Sequence, residues 1–357
     1  MTDPLLFDHE IDRLLQGIAE GFRTPLRAPV LHTPDEVGLE FEDVTFPSSD
    51  GVPLEGWFIP APGADRVVVA NHPSGFSRSG LPTHLEPWRS RWEPSGNGSE
   101  VDFVPDYRIL HDAGYHVLAY DLRNHGLSGA ANGGIGTSGI FEARDVVGSL
   151  RYVRSRPDTR ELPVGLFSRC LGANATFAAM TQFREAFAQV RSLVAVQPLT
   201  TRVIIEHQLA LAGVPEPRID DALMADLSRR MVVTTSIGLP RRAPVEWARN
   251  VTVPAFLAQV HDDVLTDPSD VQAMFDAVAG NRKKLHWIRG TTRRWDGYLE
   301  FQRRPEPVLD WLDATMATAA EPGARAPLAP GAELTEPLVQ GGGPGACSAR
   351  SATASTP

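Results

Sequence analysis

The chain has almost no cysteine: two in 357 residues, Cys170 and Cys347, far apart and in different sequence settings. Neither a disulfide framework nor a cysteine-rich metal site can be assembled from such a pair, so Cys170 reads as a buried, reduced thiol. No apolar run approaches the length that crosses a bilayer, and the opening MTDPLLFDHEIDRLLQG carries acidic residues where a secretory leader has basic ones. A cytoplasmic location and no membrane partner are the expectations. Positive charge is also scarce. Lys and Arg number 34 against 44 Asp and Glu, a formal net charge of -10, which argues against non-specific attraction to nucleic acid or anionic lipid. Metal-ligand spacing is absent. Gly133-Gly134-Ile135-Gly136 does not join a strand directly to a helix, so no dinucleotide or phosphate loop is present. No metal and no cofactor is expected, the expected partner is a small molecule, and no oligomeric state follows.

What is present suits a large core with an insertion, since 42% of the residues are hydrophobic. Residues 1–40 form an N-terminal helical segment, with Leu5, Leu6, Ile11, Leu14, Leu15 and Ile18 at helical spacing, predicted to pack on the body. Within 41–199 an alternating stretch from Val44 to Phe58 breaks at Asp50-Gly51, a hairpin signal. Short β-branched or apolar runs follow at 66–71, 115–121, 163–167 and 192–197, and again at 255–260 and 284–288 within 251–316, with helical patterns between them. Such alternation predicts an α/β fold, a mostly parallel sheet with helices on both faces and ligands at the carboxyl ends of the strands. Residues 77–104, rich in Pro and Trp, read as a long loop able to wall a pocket. Residues 200–250 read as a helical cap over the site, and 317–357, poor in large apolar residues, as a disordered tail holding Cys347.

One segment carries chemistry. In Val164-Gly165-Leu166-Phe167-Ser168-Arg169-Cys170-Leu171-Gly172-Ala173 a buried strand runs through a tight turn into helix-forming residues. Cys170 then lies at a helix N-terminus with Arg169 beside it, two features that favour thiolate over thiol. A second register, with Ser168 as nucleophile, puts a leucine at the preceding small position.

This turn resembles the G-x-S-x-G nucleophile elbow of the α/β-hydrolase superfamily, and its cysteine is similar to that of the dienelactone-hydrolase branch. The resemblance spans about residues 45 to 315 and implies a hydrolase fold with a helical cap. It places an oxyanion loop at Asn71-His72-Pro73-Ser74-Gly75, where Pro73 has no N–H. The donors would be the amides of Leu171 and of Ser74 or Gly75. Asp121-Leu122-Arg123-Asn124-His125-Gly126-Leu127-Ser128 matches a loop that is structural in that family. His261-Asp262-Asp263 matches the loop that delivers the triad acid, with Asp263 in the better register.

The resemblance fails at the triad histidine. The loop after the last strand, from Gly290 to Tyr298, contains none, and His286 lies four residues earlier, about 13 Å short of the strand end. Arg293 takes the histidine's place, although an arginine cannot accept a proton near neutral pH. His72 and His261, at other strand ends, are the candidate bases, whereas His111 and His207 read as surface residues. Three functions are therefore expected candidates: acyl hydrolysis or transfer at Cys170 on an ester, thioester or lactone; a lyase expelling a carboxylate such as acetate, held by Arg293, from an O-acylated tetronate-type intermediate; or a non-catalytic small-molecule binder.

Overall fold

The computed structural model describes residues 6–317; the predicted tail from 318 onward, with Cys347, lies outside the described residues. Eight strands form the central sheet: β1 Glu42–Pro47, β2 Pro53–Ile59, β3 Val67–Asn71, β4 His116–Tyr120, β5 Val164–Arg169, β6 Val190–Val196, β7 Ala255–Val260 and β8 Lys283–Ile288. Their order is β1-β2-β4-β3-β5-β6-β7-β8, and β2 is antiparallel to both its neighbours while all other pairs are parallel. Every residue of β3, β4, β5 and β7 is buried, because helices cover both faces; this is why these strands read as unbroken apolar runs. The edge strand β1 instead alternates, and it joins β2 through the turn at Ser48–Gly51.

Helices α1 Asp8–Arg23, α2 Val104–Asp112, α3 Ala143–Ser155, α4 Leu171–Gln182, α5 Thr201–Leu211, α6 Asp221–Thr235, α7 Pro268–Ala277, α8 Arg294–Arg303 and α9 Glu306–Met316 fall into three groups. Residues of α3, α4 and α7 share one apolar cluster with the sheet, and residues of α2, α8 and α9 share another. The third cluster joins Ile11, Leu15 and Ala19 of α1 to Ile205 and Leu209 of α5 and to Met224, Leu227 and Met231 of α6. The N-terminal helix thus packs on the helices between β6 and β7, because its apolar stripe meets theirs. A short helix, Pro244–Ala248, follows α6 and returns to the first cluster, so the inserted layer ends before residue 250. No helix among the described residues is long and apolar enough to cross a membrane.

Candidate active site

Strand β5 ends at Arg169 and α4 begins at Leu171, leaving Cys170 to make the whole reversal. It does so at φ 49°, ψ −109°, a conformation that side-chain-bearing residues rarely hold. Both sides of the turn are pinned: the Cys170 amide donates to the Val196 carbonyl at 2.8 Å, and its carbonyl accepts from the Asn174 amide at 2.9 Å. Gly172 allows α4 to approach β3. A Cβ there would lie 2.6 Å from the Asn71 Cβ and 2.7 Å from the Asn71 carbonyl oxygen. Ser168, the alternative nucleophile, is buried in the strand, where its hydroxyl accepts from Asn71 Nδ2 at 2.9 Å and bonds Thr176. Its role is to tie β3, β5 and α4 together.

Cys170 is 9% exposed and lies in the same apolar cluster as Trp295 and Tyr298 of α8. Tyr298 is fully buried in that cluster. One helical turn earlier, Arg294 donates from Nε to the Tyr298 oxygen at 3.1 Å, from a second nitrogen to Asp263 Oδ2 at 2.7 Å, and from a third to the Gln197 carbonyl. Burial opposes its charge, but Tyr298, Asp263 and Cys170 together raise its proton affinity above the ordinary arginine value. Asp263 is further held by the Leu265 amide at 3.0 Å and the Thr266 hydroxyl at 2.9 Å. Gln197, at the end of β6, donates to the Arg294 carbonyl at 2.6 Å, and Gly297 leaves room for that amide. The long loop 77–104 is fastened to the start of α8, because buried Asn97 accepts from the Trp295 amide at 2.9 Å. Phe76, Trp92 and Trp295 form an aromatic wall there.

No family model matches the sequence, and no curated protein is similar enough to count as a relative. Solved structures do match. The esterase Pf2001 of Pyrococcus furiosus is 19% identical, over 82% of this chain and 100% of that chain, with a TM-score of 0.58. The α/β hydrolase GrgF of Penicillium sp. sh18 is 17% identical, over 78% and 100%, with a TM-score of 0.51. The fold is that of the α/β hydrolases. The acylaminoacyl peptidase of Pyrococcus horikoshii aligns over 80% of this chain but only 43% of its own, at 14% identity and a TM-score of 0.53. At these identities the likeness concerns the fold alone.

Within the α/β-hydrolase fold several sequence expectations need correction. Arg293 is the N-cap of α8, half-exposed, with Nε on Asp296 at 2.9 Å; the first helical residue, Arg294, turns inward to Asp263. The shift is one residue, set by where the helix starts. Arg169 gives its charge to Asp106 and lies between the rings of Phe103 and Phe167, 4.3 Å and 4.0 Å from their centroids. Burial pushes Asp106 up to about 6 against the pull of Arg169. The Arg169 charge is therefore spent on Asp106 rather than on the thiol.

Neither candidate histidine is placed as a base. His72 Nδ1 bonds the Pro73 carbonyl at 2.7 Å and its Nε2 accepts from the Leu122 amide at 2.9 Å, so the ring is a neutral tautomer with both nitrogens engaged. Burial, and then the charges of His125, Arg78 and Arg169, hold its proton affinity well below 6.5. Because the unfolded chain takes up that proton near 6.5 and the folded chain does not, His72 costs stability as pH falls below about 6.5. His72→Gln, though less stable overall, is expected to show a smaller drop in urea midpoint between about pH 7.5 and 5.5. His261 faces Asp262 at 2.6 Å and packs edge-on against Trp287. His286 stacks on Phe256 inside β8. Among the described residues no histidine side chain hydrogen-bonds Cys170, Asp263 or Arg294.

Leu171 opens α4, so its amide has no intrahelical acceptor, and the Gly172 amide is spent on the His72 carbonyl at 3.1 Å. Ser74 and Gly75 occupy the turn from Pro73 to Phe76, with Ser74 exposed and Gly75 at φ 80°. A groove of about 800 Å³ lies elsewhere, lined by residues including Arg289, Arg293, Asp296, Arg303 and Arg304 but not Cys170. Chemistry rather than volume marks the site. Sequence reasoning passed over Arg294, Tyr298 and Gln197. The four-residue spacing of Arg294 and Tyr298 on one helix was the available signal for the first two.

Proposed function

We propose that the chain is an acyl-processing enzyme in which Cys170 attacks the carbonyl of an ester, thioester or lactone. The carrying observation is the Cys170 backbone at φ 49°, ψ −109° on a strand-to-helix turn, since strain of that kind is retained where it aims a reactive group. Cys170 is the N-cap of the twelve-residue α4, so an oxyanion forming beside it would meet the positive end of that helix. The amides of Leu171 and of Ser74 or Gly75 would hold the oxyanion. Helices α5 and α6, with α1 behind them, act as the cap; His207 of α5 bonds the Val264 carbonyl at 3.1 Å, next to Asp263.

Loss of a carboxylate by elimination is the second reading, favoured because no histidine among the described residues hydrogen-bonds the thiol. It is weakened by Arg293, which is paired with Asp296 rather than open to a departing acid. Turnover of aryl esters, lactones and acyl thioesters in ¹⁸O-labelled water separates the readings. Label in the acid product supports hydrolysis, acyl transfer to an added alcohol or amine supports transferase chemistry, and an unlabelled acid with a new double bond supports elimination. A Cys170 thiol inert to iodoacetamide, with small acids still bound, would leave a binding protein.

A further inference from the structure

The loops that follow β7 and β8 build two things at the carboxyl edge of the sheet. Asp263 and Arg294 turn inward as a buried pair, while their chain neighbours Asp262 and Arg293 line the groove of about 800 Å³. That volume falls within the range of small-molecule sites. Arg289, Arg303 and Arg304 line it as well, so four arginines meet at one groove in a chain whose formal net charge is -10. We propose that this groove holds the phosphates of a nucleotide-bearing acyl thioester, the chemistry of coenzyme A. The choice of a thioester rests on the acyl reading of Cys170, whereas the phosphate site needs only the groove.

The acids of the groove lie beneath the arginines and aim them. The side chains of Asp296 and Glu300 are 6% and 13% exposed, whereas those of Arg293, Arg303 and Arg304 are 50%, 51% and 59% exposed. Asp296 takes Nε and Nη2 of Arg293 at 2.9 and 3.1 Å, Nη2 of Arg303 at 2.8 Å and the Thr291 hydroxyl at 2.5 Å. One carboxylate thus orients two guanidinium groups and leaves Nη1 of both without a hydrogen bond among the described residues. Arg304 pairs with Glu300 through one nitrogen, and exposed Arg289 forms no ion pair among the described residues. The remaining acid, Asp262, faces His261 at 2.6 Å. A guanidinium with one edge fixed and another open is set for phosphate oxygens, which accept charge-assisted N–H bonds in this way.

The groove is joined to the elbow by the same backbone. The Val264 amide donates to the Thr292 carbonyl at 3.1 Å and ties the two loops together. Arg294, next to Arg293, donates to the Gln197 carbonyl, and Val196, one residue earlier, accepts the Cys170 amide. Loop 77–104 borders both places: a Cβ on Gly96 would lie 3.6 Å from the Arg293 Cγ, and Asn97 accepts from the amide of Trp295, which shares the apolar cluster of Cys170. Phosphates in the groove and an acyl group at Cys170 therefore call for a long flexible arm between them. Coenzyme A thioesters have one, and simple esters have nothing to place in the groove.

The test begins with calorimetric titration of coenzyme A, ADP and inorganic phosphate into wild type and the double variant Arg289→Ala, Arg303→Ala, two exposed positions outside the buried network. Coenzyme A is expected to bind wild type with an affinity that falls as salt rises, and to bind the variant about tenfold more weakly. No binding to wild type at low salt, equal affinity for the variant, or inorganic phosphate bound as tightly as coenzyme A would overturn the proposal. Steady-state kinetics then tests the substrate class. With acetyl-coenzyme A the variant should show a KM about tenfold higher at unchanged kcat, and with the acetyl thioester of N-acetylcysteamine, which lacks the phosphates, neither constant should move. The same KM for both thioesters in wild type, or an equal loss on both in the variant, would contradict a phosphate-reading groove. Binding of coenzyme A without acylation of Cys170 or turnover of either thioester would instead remove the acyl reading and leave the phosphate site standing.

Discussion

Arg294→Met is expected to lower the free energy of unfolding by about 3–5 kcal/mol and to abolish acylation of Cys170. The guanidinium is 1% exposed and has three engaged nitrogens. Its removal leaves Asp263, itself 4% exposed, as a buried charge with only the Gln259, Leu265 and Thr266 donors, and strips a donor from the Gln197 carbonyl. The double variant Arg294→Met, Asp263→Leu removes the stranded charge and should recover part of the lost stability, because two apolar groups replace an ion pair far better than one orphaned ion does. Activity should not return with it. Urea unfolding of the single and double variants, set beside adduct formation, separates the structural from the chemical contribution of the pair. A single variant as stable as wild type would mean that Asp263 does not depend on Arg294.

The second large effect is at the elbow. Gly172→Ala would drive a methyl group to 2.6 Å from the Asn71 Cβ and 2.7 Å from its carbonyl oxygen, and that backbone has little freedom to withdraw. Asn71 lies in a doubly covered strand, and its side chain bridges Ser168 and Tyr120. Overpacking of this kind costs about 1–3 kcal/mol, and relief by moving α4 would displace Cys170 from its pinned position. Gly17 is the control. It lies in α1 with nothing within 4 Å of the added atom, so Gly17→Ala should stabilise the chain by about 0.5–1 kcal/mol. Thermal unfolding of the two variants, with Cys170 alkylation rates, measures the contrast; equal and small effects would mean that the elbow is not tightly built.

The elbow and the sheet were legible because their signals are local. The apolar run of β5, the small residues around Cys170 and the helix-forming residues after it lie within one short segment, and the repeated β-branched runs report a sheet covered on both faces. The arginine that pairs with Asp263 was not legible because it depends on where a helix begins. A start at Arg294 rather than one residue earlier decides which arginine meets Asp263. His72 looked available as a loop histidine, yet burial and two backbone partners from different segments use it up. Tyr298 carried no motif; its bond to Arg294 depends on both lying one turn apart on a helix whose start the sequence does not mark. The grouping of α1 with α5 and α6 joins segments about 200 residues apart, and an amphipathic stripe alone does not say what it packs against.

Intact-mass spectrometry of acylated protein decides whether Cys170 is a nucleophile. Wild type, Cys170→Ala and Cys170→Ser would each be incubated with p-nitrophenyl acetate and a short acyl thioester, quenched with acid and digested to locate the modification. One acetyl group is expected on wild type, mapped to Cys170 and absent from Cys170→Ala. An unmodified wild-type protein, or an acetyl group placed elsewhere and retained in Cys170→Ala, would contradict it.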